Sequence, residues 1–340
     1  MHQMKALVTG GAGFIGSHAC TSMLAHGHSV MIYDNFSNSS KTVISRIRQI
    51  KNGDLNYITG DINDDLNLRN AFEFYQPDVV VHFAGLKSVK ESVYKPLAYY
   101  RTNVTGTLKL LECMEIFDCP RIIFSSSATV YGLPSYLPFD EEHPIAPINP
   151  YGRTKAISEK LIKDWVRSQE SKSAVCLRYF NPIGAHESGM IGEDPHGMPN
   201  NLMPLILQVA KGQRKTLSIY GNDYETRDGT GERDYVHVMD IADAHVKAMV
   251  MQKSKGAFEI FNLGTGIGTT VKELVTEFES VTGIRIPYKM EQRRQGDVAQ
   301  SWSNTDRARA SLSMQRNRSL QEMCYDSWHW TEKNPNGYVP

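Results

Sequence analysis

The chain has no surplus of charge: 37 Lys and Arg are balanced by 37 Asp and Glu. That excludes a general nucleic-acid binder and a protein drawn to an anionic membrane by electrostatics. No apolar run approaches the ~20 residues that span a bilayer, so no membrane segment is expected. The five cysteines (Cys20, Cys113, Cys119, Cys176, Cys324) contain no C-x-x-C pair. An odd, widely spaced set points to reduced thiols in a cytoplasmic protein rather than a disulfide framework. The eleven histidines include no H-E-x-x-H, and the cysteines lack zinc spacing, so no metal is expected. Heptads, repeats and low-complexity tracts are also missing. The start, Met1-His2-Gln3-Met4-Lys5, leads straight into a glycine-punctuated segment and does not read as a signal peptide. What remains is an ordinary globular balance, 41% hydrophobic and 22% charged over 340 residues. The length allows two domains, or one with an annex.

The first informative stretch follows a short buried strand at residues 5–9. Gly10-Gly11-Ala12-Gly13-Phe14-Ile15-Gly16 opens a helical pattern that runs to about His26, and residues 29–33 form a second strand ending at Asp34. Glycines at 10, 13 and 16 allow a tight turn, let a pyrophosphate approach the backbone, and let the helix pack close to the strand. The helix N-terminal amides then hold the phosphates. A carboxylate at Asp34 accepts hydrogen bonds from a ribose diol and repels a 2′-phosphate, which selects NAD over NADP.

Further strands are expected at 56–59, 78–85, 119–124, 174–179 and 259–263, with a single long helical region over 91–117. Alternating strands and helices imply an α/β, Rossmann-type doubly wound parallel sheet. Ligands then sit beyond the carboxyl ends of the strands. After the third strand, Asp61 and the amide of Ile62 either meet an adenine edge or merely begin a turn. Ser125-Ser126-Ser127 either ends the fifth strand or faces the cofactor. The second half differs: residues 184–199 form a loop rich in glycine and proline, and Gly264-Thr265-Gly266-Ile267-Gly268 reads as a turn before a helix at 270–282, with no acid placed as a second nucleotide site would need.

Tyr151 and Lys155 stand four apart on a helical pattern beginning after Pro150, so they share a face. A free phenol has a pKa of about 10. Lowering it by ~3 units needs roughly 4 kcal/mol of differential stabilisation, which one partly buried lysine and one further positive charge can supply. The product is a general base usable near neutral pH.

Together, the glycine turn with Thr9, the serine run with Ala128-Thr129-Val130-Tyr131-Gly132, and Tyr151-x-x-x-Lys155 resemble an extended short-chain dehydrogenase/reductase. Phe83-Ala84-Gly85-Leu86-Lys87, Arg178-Tyr179-Phe180-Asn181-Pro182, Asn200-Asn201-Leu202-Met203-Pro204, Gly229-Thr230-Gly231-Glu232-Arg233-Asp234-Tyr235 and Asp326-Ser327-Trp328-His329-Trp330 narrow this to the UDP-glucose 4-epimerase family. The likeness runs from residue 4 almost to the C-terminus.

The resemblance implies an NAD-binding unit at 1–182, to which 238–264 returns, and a smaller UDP-sugar-binding unit at 183–237 and 265–340. It implies Tyr151 as base, Lys155 lowering its pKa and holding the nicotinamide ribose, and Ser127 bonding the sugar hydroxyl and relaying its proton. NAD contacts fall on Gly10, Gly13, Phe14, Ile15, Asp34, Asn35, Asp61, Ile62, Phe83, Ala84, Gly85, Lys87 and Tyr179, besides Tyr151 and Lys155. The UDP-sugar falls on Ser127, Asn181, Asn201, Leu202, Ser218, Ile219, Tyr220, Arg233, Arg294, Asp297 and Ser301. Arginines suit phosphates because the guanidinium offers bidentate contacts. Position 301 walls the hexose pocket in this family; a serine in place of a bulky tyrosine predicts room for a 2-acetamido group. The family also implies a homodimer through helices at 91–117 and 151–168. Thr102 stands where relatives often carry asparagine. A 4,6-dehydratase would need an acid pair where Ala128 and Thr129 stand. A cofactor-releasing reductase and a non-catalytic NAD-sensing module are the other readings.

Overall fold

The computed structural model describes residues 3–195, 197, 199, 201–251, 256–294, 296–314 and 318–339; the motif residues Asn200 and Gln295 lie outside these. In chain order the strands are β1 (Lys5–Thr9), β2 (Ser29–Asp34), β3 (Leu55–Thr59), β4 (Val79–His82), β5 (Arg121–Ser127), β6 (Ser173–Tyr179), β7 (Asn181–Ile183), β8 (Leu217–Tyr220), β9 (Glu232–His237), β10 (Phe258–Leu263), β11 (Gly268–Thr270), β12 (Tyr288–Glu291) and β13 (Gln300–Ser301).

Seven of them form one parallel sheet in the order β10-β6-β5-β4-β1-β2-β3. Helices cover both faces, which is why β1, β2, β4 and β6 are almost wholly buried. The chain runs β1-β2-β3 outward, then returns to place β4 on the other side of β1. That reversal opens a crevice between the ends of β1 and β4, the position where doubly wound sheets bind ligands. Gly10 closes the β1 turn with φ +71°, and a Cβ there would meet the Ala84 amide at 2.5 Å. Only glycine lets the two strand ends approach so closely.

Two expectations are corrected. The fifth strand does not end at Phe124. It continues through Ser127, which pairs with Tyr179, because the serine backbone extends the ladder while the three hydroxyls find separate partners. The single helix over 91–117 is broken into Val89–Tyr94, Pro96–Tyr99, a wide π turn Tyr100–Thr105 and Gly106–Ile116. Pro96 lacks the N–H that a continuous helix needs, and the π turn faces Asn103 inward. The sequence reading also missed β9, the centre of the second sheet, which pairs with β7, β11 and β13.

The turn at Gly264–Gly268 does hold an anion, but an internal one. The buried Asp234 carboxylate accepts from Thr265 N (2.7 Å), Thr265 Oγ1 (2.7 Å), Gly266 N (3.0 Å), Ser303 N (3.1 Å) and Ser303 Oγ (2.6 Å). One side chain thus ties β9, this turn and the segment after β13 together.

Behind β5 lies a buried ion pair. Arg178 donates to Glu159 through Nε (2.9 Å) and Nη2 (2.7 Å), with side chains only 3% and 7% exposed. Ser126 Oγ adds a third bond to Glu159, and Arg178 Nη1 donates to the Tyr131 hydroxyl. Removing one member leaves a buried charge unpaired, which costs about 3–5 kcal/mol. Arg178→Met is therefore expected to lose about 3–5 kcal/mol in equilibrium urea unfolding, and Arg178→Met with Glu159→Leu distinctly less. Equal losses in the single and double variants would contradict this account.

Candidate active site

The helix Pro150–Arg167 carries both candidate catalytic groups. Pro150 occupies its first turn, and the Asn149 side chain caps it by accepting from Gly152 N at 2.8 Å. Tyr151, Lys155 and Glu159 follow at four-residue steps, all buried on the face turned to β5. Lys155 Nζ donates to the carbonyl of Ser125 at 2.7 Å and lies 6.0 Å from the Tyr151 ring centre. The hydroxyls of the serine run diverge. Ser125 bonds Tyr179, Ser126 bonds Glu159, and Ser127 bonds Tyr151.

Burial dominates the electrostatics of the chain by itself. It pushes the Tyr151 phenol up to about 12, and the hydrogen bond from Ser127 only partly offsets it. Burial likewise pulls Lys155 down to about 8, against the pull of Glu159. The expected lowering of the tyrosine needs the lysine and a second positive charge together; the chain alone supplies only the first, and desolvation outweighs it.

At the crevice, the helix Phe14–Ala25 begins with no side-chain cap and no acid in its first turn. Its free amides suit a phosphate. Phe14 and Ile15 lie in this turn, and Gly13 precedes it. Asp34 accepts from Ala12 N at 3.0 Å, and from Phe36 N and Ser39 Oγ on its other oxygen, so it braces the glycine turn from the side where a ribose would lie. Asn35 Nδ2 donates to Asp61 Oδ2 at 2.7 Å. Burial works to raise Asp61, but bonds from Asn63 and Asn35 outweigh it and hold the acid low. Ile62 is different: its side chain is buried against Gly106, so its contribution is limited to backbone. Phe83 and Ala84, after β4, lie against the Gly10 turn, and Gly85 lies against Asn103. The cradle that a Cβ would fill, the uncapped helix and the bracing acid together fit an NAD dinucleotide.

Lys87 pairs with Glu193 at 3.1 Å, and Asn201 Nδ2 donates to the same oxygen at 3.2 Å. Two predicted ligands thus meet on an acid that the sequence reading did not single out. In the second lobe, Asn181 opposes Tyr235, and Ser301 opposes Arg233. Arg233 Nη1 donates to its neighbour's carbonyl, Glu232 O, at 2.8 Å. Arg294 binds Asp297 at 2.8 Å and lies over the Tyr220 ring at 4.6 Å from its centre. In β8, Ser218 and Tyr220 face outward, but Ile219 is 2% exposed and packs in the core with Met203, Ile206 and Phe278. Its side chain is therefore withdrawn from any ligand, because the strand alternates. Leu202 begins the helix Leu202–Ala210.

Besides Glu193, four participants went unseen. Asn103, one residue past Thr102, accepts from Leu86 N and donates to Leu86 O and Thr154 Oγ1, pinning the β4 loop to the catalytic helix. His245 accepts from the Tyr179 hydroxyl at 2.7 Å, because its Nδ1 is committed to Ile241 O. Glu159 was legible in the four-residue spacing. Thr129 donates to Ser127.

A family model described as GDP-mannose 4,6 dehydratase matches residues 7–327. A UDP-glucose 4-epimerase of Bacillus subtilis is 47% identical over 98% of this chain and 99% of its own. Among solved structures, the UDP-glucose 4-epimerase of Stenotrophomonas maltophila with NAD and formylated UDP-arabinopyranose superposes with a TM-score of 0.95 at 42% identity, over 98% of this chain and 99% of the other. That of Bifidobacterium longum with NAD⁺ and UDP gives 0.94 at 44% identity, with the same coverage.

The Tyr151 assignment carries a sign that can be measured. Its folded pKa is raised from 10.0 to about 12, so the folded state keeps a proton that the unfolded chain loses. In protein stripped of NAD, the phenolate absorbance difference between wild type and Tyr151→Phe is expected to be absent at pH 10 and to grow toward pH 12. The stability that Tyr151 contributes through this proton should fall over the same interval. A difference already present near neutral pH would overturn this account of burial as the dominant influence on Tyr151.

Proposed function

The chain belongs to the UDP-glucose 4-epimerase family of extended short-chain dehydrogenases/reductases, and from that premise we propose how its own residues divide the reaction. It is an NAD-dependent isomerase that interconverts UDP-glucose and UDP-galactose. NAD supplies one thing, the acceptance and return of a hydride at C4 through a transient 4-keto sugar.

Tyr151 takes the proton of the 4-hydroxyl and later gives it back. Lys155 holds the Ser125 carbonyl end of β5 and presents a cation to the ribose side of the crevice. Ser127 bonds the tyrosine oxygen and the sugar hydroxyl. The observation that carries this reading is the burial of Tyr151 and Lys155 beside Ser127, at the carboxyl end of β5, next to the β1/β4 crevice. Water is kept from the base, and a deprotonated phenol there is basic enough to attack a sugar hydroxyl.

Residues 1–182 with 238–264 form the dinucleotide unit, and 183–237 with 265–340 the UDP-sugar unit. Arg233 and Arg294 grip the diphosphate, Arg294 exchanging Asp297 for phosphate while Asp297 turns to a hydroxyl of the uridine. Tyr220 and Leu202 flank the uracil, and Asn181 and Asn201 reach the diphosphate and sugar. This tight grip on the nucleotide leaves the hexose free to turn and present its other face to the returning hydride. Ser301, half-buried beside Arg233, leaves room for a 2-acetamido group, so UDP-GlcNAc and UDP-GalNAc are substrates too.

The enzyme works in the cytoplasm: all five cysteines are buried free thiols, as a reducing compartment allows. It acts as a homodimer. Val89, Val93 and Leu97, spaced by four residues, are 42%, 58% and 79% exposed, with Tyr94 beside them at 76%. Such an apolar face suits a second copy of the same helices.

Initial-rate assays on all four UDP-sugars, without added NAD, test the reading. Turnover is expected on each, and Ser301→Tyr should cut the acetamido activity by about 10–100-fold while sparing UDP-glucose. No turnover of UDP-GlcNAc by the wild type would refute the open pocket. Independently, Leu97→Glu should shift the sedimenting species from dimer to monomer; a monomeric wild type would refute the dimer.

A further inference from the structure

Ser127 ends β5 in extended backbone (φ −151°, ψ 146°) and caps the one-turn helix Ala128–Val130. Its oxygen accepts two hydrogen bonds from one residue, Thr129 N at 3.2 Å and Thr129 Oγ1 at 3.0 Å. A serine hydroxyl has one proton to give and two lone pairs to receive. Both lone pairs are taken. The remaining proton points to the Tyr151 oxygen, which it favours as the anion.

We propose that Thr129 is a positioning residue that fixes Ser127 as a pure donor, so that the sugar proton passes directly to Tyr151 and not through the serine. The inference rests on the epimerase reading and deepens it. A relay would require Ser127 Oγ to accept the sugar proton while handing on its own. No lone pair is free for that unless the threonine hydroxyl turns away. In the direct route the O4–H bond breaks and its proton bonds to the Tyr151 oxygen. The O–H electron pair becomes the second C4–O bond as the C4 hydride departs to NAD. The Ser127 proton stays on Ser127 throughout, stabilising the phenolate beforehand and the sugar oxygen during transfer.

The backbone holds Thr129 to this task. The turn is closed by Tyr131 N donating to Ala128 O at 3.1 Å. On its other side, a Cβ on Gly152 would stand 2.6 Å from Thr129 O, so the first turn of the catalytic helix rests directly on the Thr129 peptide. The donor pair and the base are therefore registered against each other by one close backbone contact, and Gly152 is what permits it.

Thr129→Val keeps the shape and removes the side-chain donor; Thr129→Ser restores it. Both are to be made in the NAD-loaded enzyme. The valine variant is expected to lose about tenfold in single-turnover rate, with the KM for UDP-glucose within about twofold. Its Tyr151 phenolate titration, read against Tyr151→Phe, should move to higher pH. The rate in mixed H₂O and D₂O should depend linearly on deuterium fraction in the wild type, one proton in flight, and become bowed in the valine variant. The serine variant should behave as wild type in all three. A bowed dependence in the wild type, or a valine variant with unchanged rate and titration, overturns the proposal. A wild type that turns over no UDP-glucose refutes the functional reading instead, and the titration alone then judges Thr129.

Discussion

Desolvation of Tyr151 and Lys155 is the constraint on which the site is built. Each is pushed toward its neutral form, the phenol up to about 12 and the ammonium down to about 8. The fold therefore does not itself contain the charge that would make the tyrosine a base. That charge has to arrive with a ligand. The glycine turn at the end of β1, the uncapped helix beyond it and the brace from Asp34 answer this requirement, since they fit the dinucleotide that would bring it. A pre-formed phenolate would be a permanent buried anion, costly to keep in an unloaded chain.

The Arg178–Glu159 pair solves a problem created by the same helix. Glu159 stands one turn beyond Lys155, and an unneutralised carboxylate there would draw the ammonium into a lasting ion pair. Arg178 takes both oxygens. Lys155 is left with a carbonyl partner, and its charge stays available to the crevice. A buried pair of this kind adds little net stability compared with apolar residues. Its value here is that it decides where positive charge is not spent. Thr129 acts in the same manner on Ser127, filling acceptor positions so that the remaining proton has one direction. The place it occupies is where a dehydratase would need an acid, and a carboxylate could not make that donation.

The parallel sheet was legible because buried strands between helices read as short β-branched runs, and β1, β2 and β4 are such runs. The Gly10 turn was legible because its chemistry is local. The length of β5 was not: three serines serve equally to end a strand or to face a cofactor, and only the register with Tyr179 shows the ladder continuing. The broken helix after β4 was hidden because Pro96 and the π turn around Asn103 interrupt an otherwise continuous helical pattern. Among site residues, Tyr151 and Lys155 were found by their spacing, and Glu159, one step further on the same face, could have been. Those joined by topology, such as Glu193 with Lys87 or His245 with Tyr179, carry no local mark, since 106 residues separate the first pair and 66 the second. Ile62 and Ile219 stand next to site residues in sequence, but strand alternation and packing turn their side chains into the core, which leaves each only its backbone to offer.

Asp234 shows how the second lobe can vary without losing its grip. Its five accepted hydrogen bonds fasten the turn after β10 and the chain after β13 to β9. Arg233 precedes it on β9, and Ser301 lies across the ladder from Arg233. Ser301 is thus held by backbone pairing and by an anchor two residues on, at Ser303, and not by its own side chain. On the proposed reading, a change of bulk at 301 would alter the space offered to the sugar while the arginine stays where the anchor puts it. Nucleotide affinity and sugar breadth would then be separable within one strand pair. That separation is what an enzyme would need to hold a nucleotide firmly while differently substituted sugars turn against the same tyrosine.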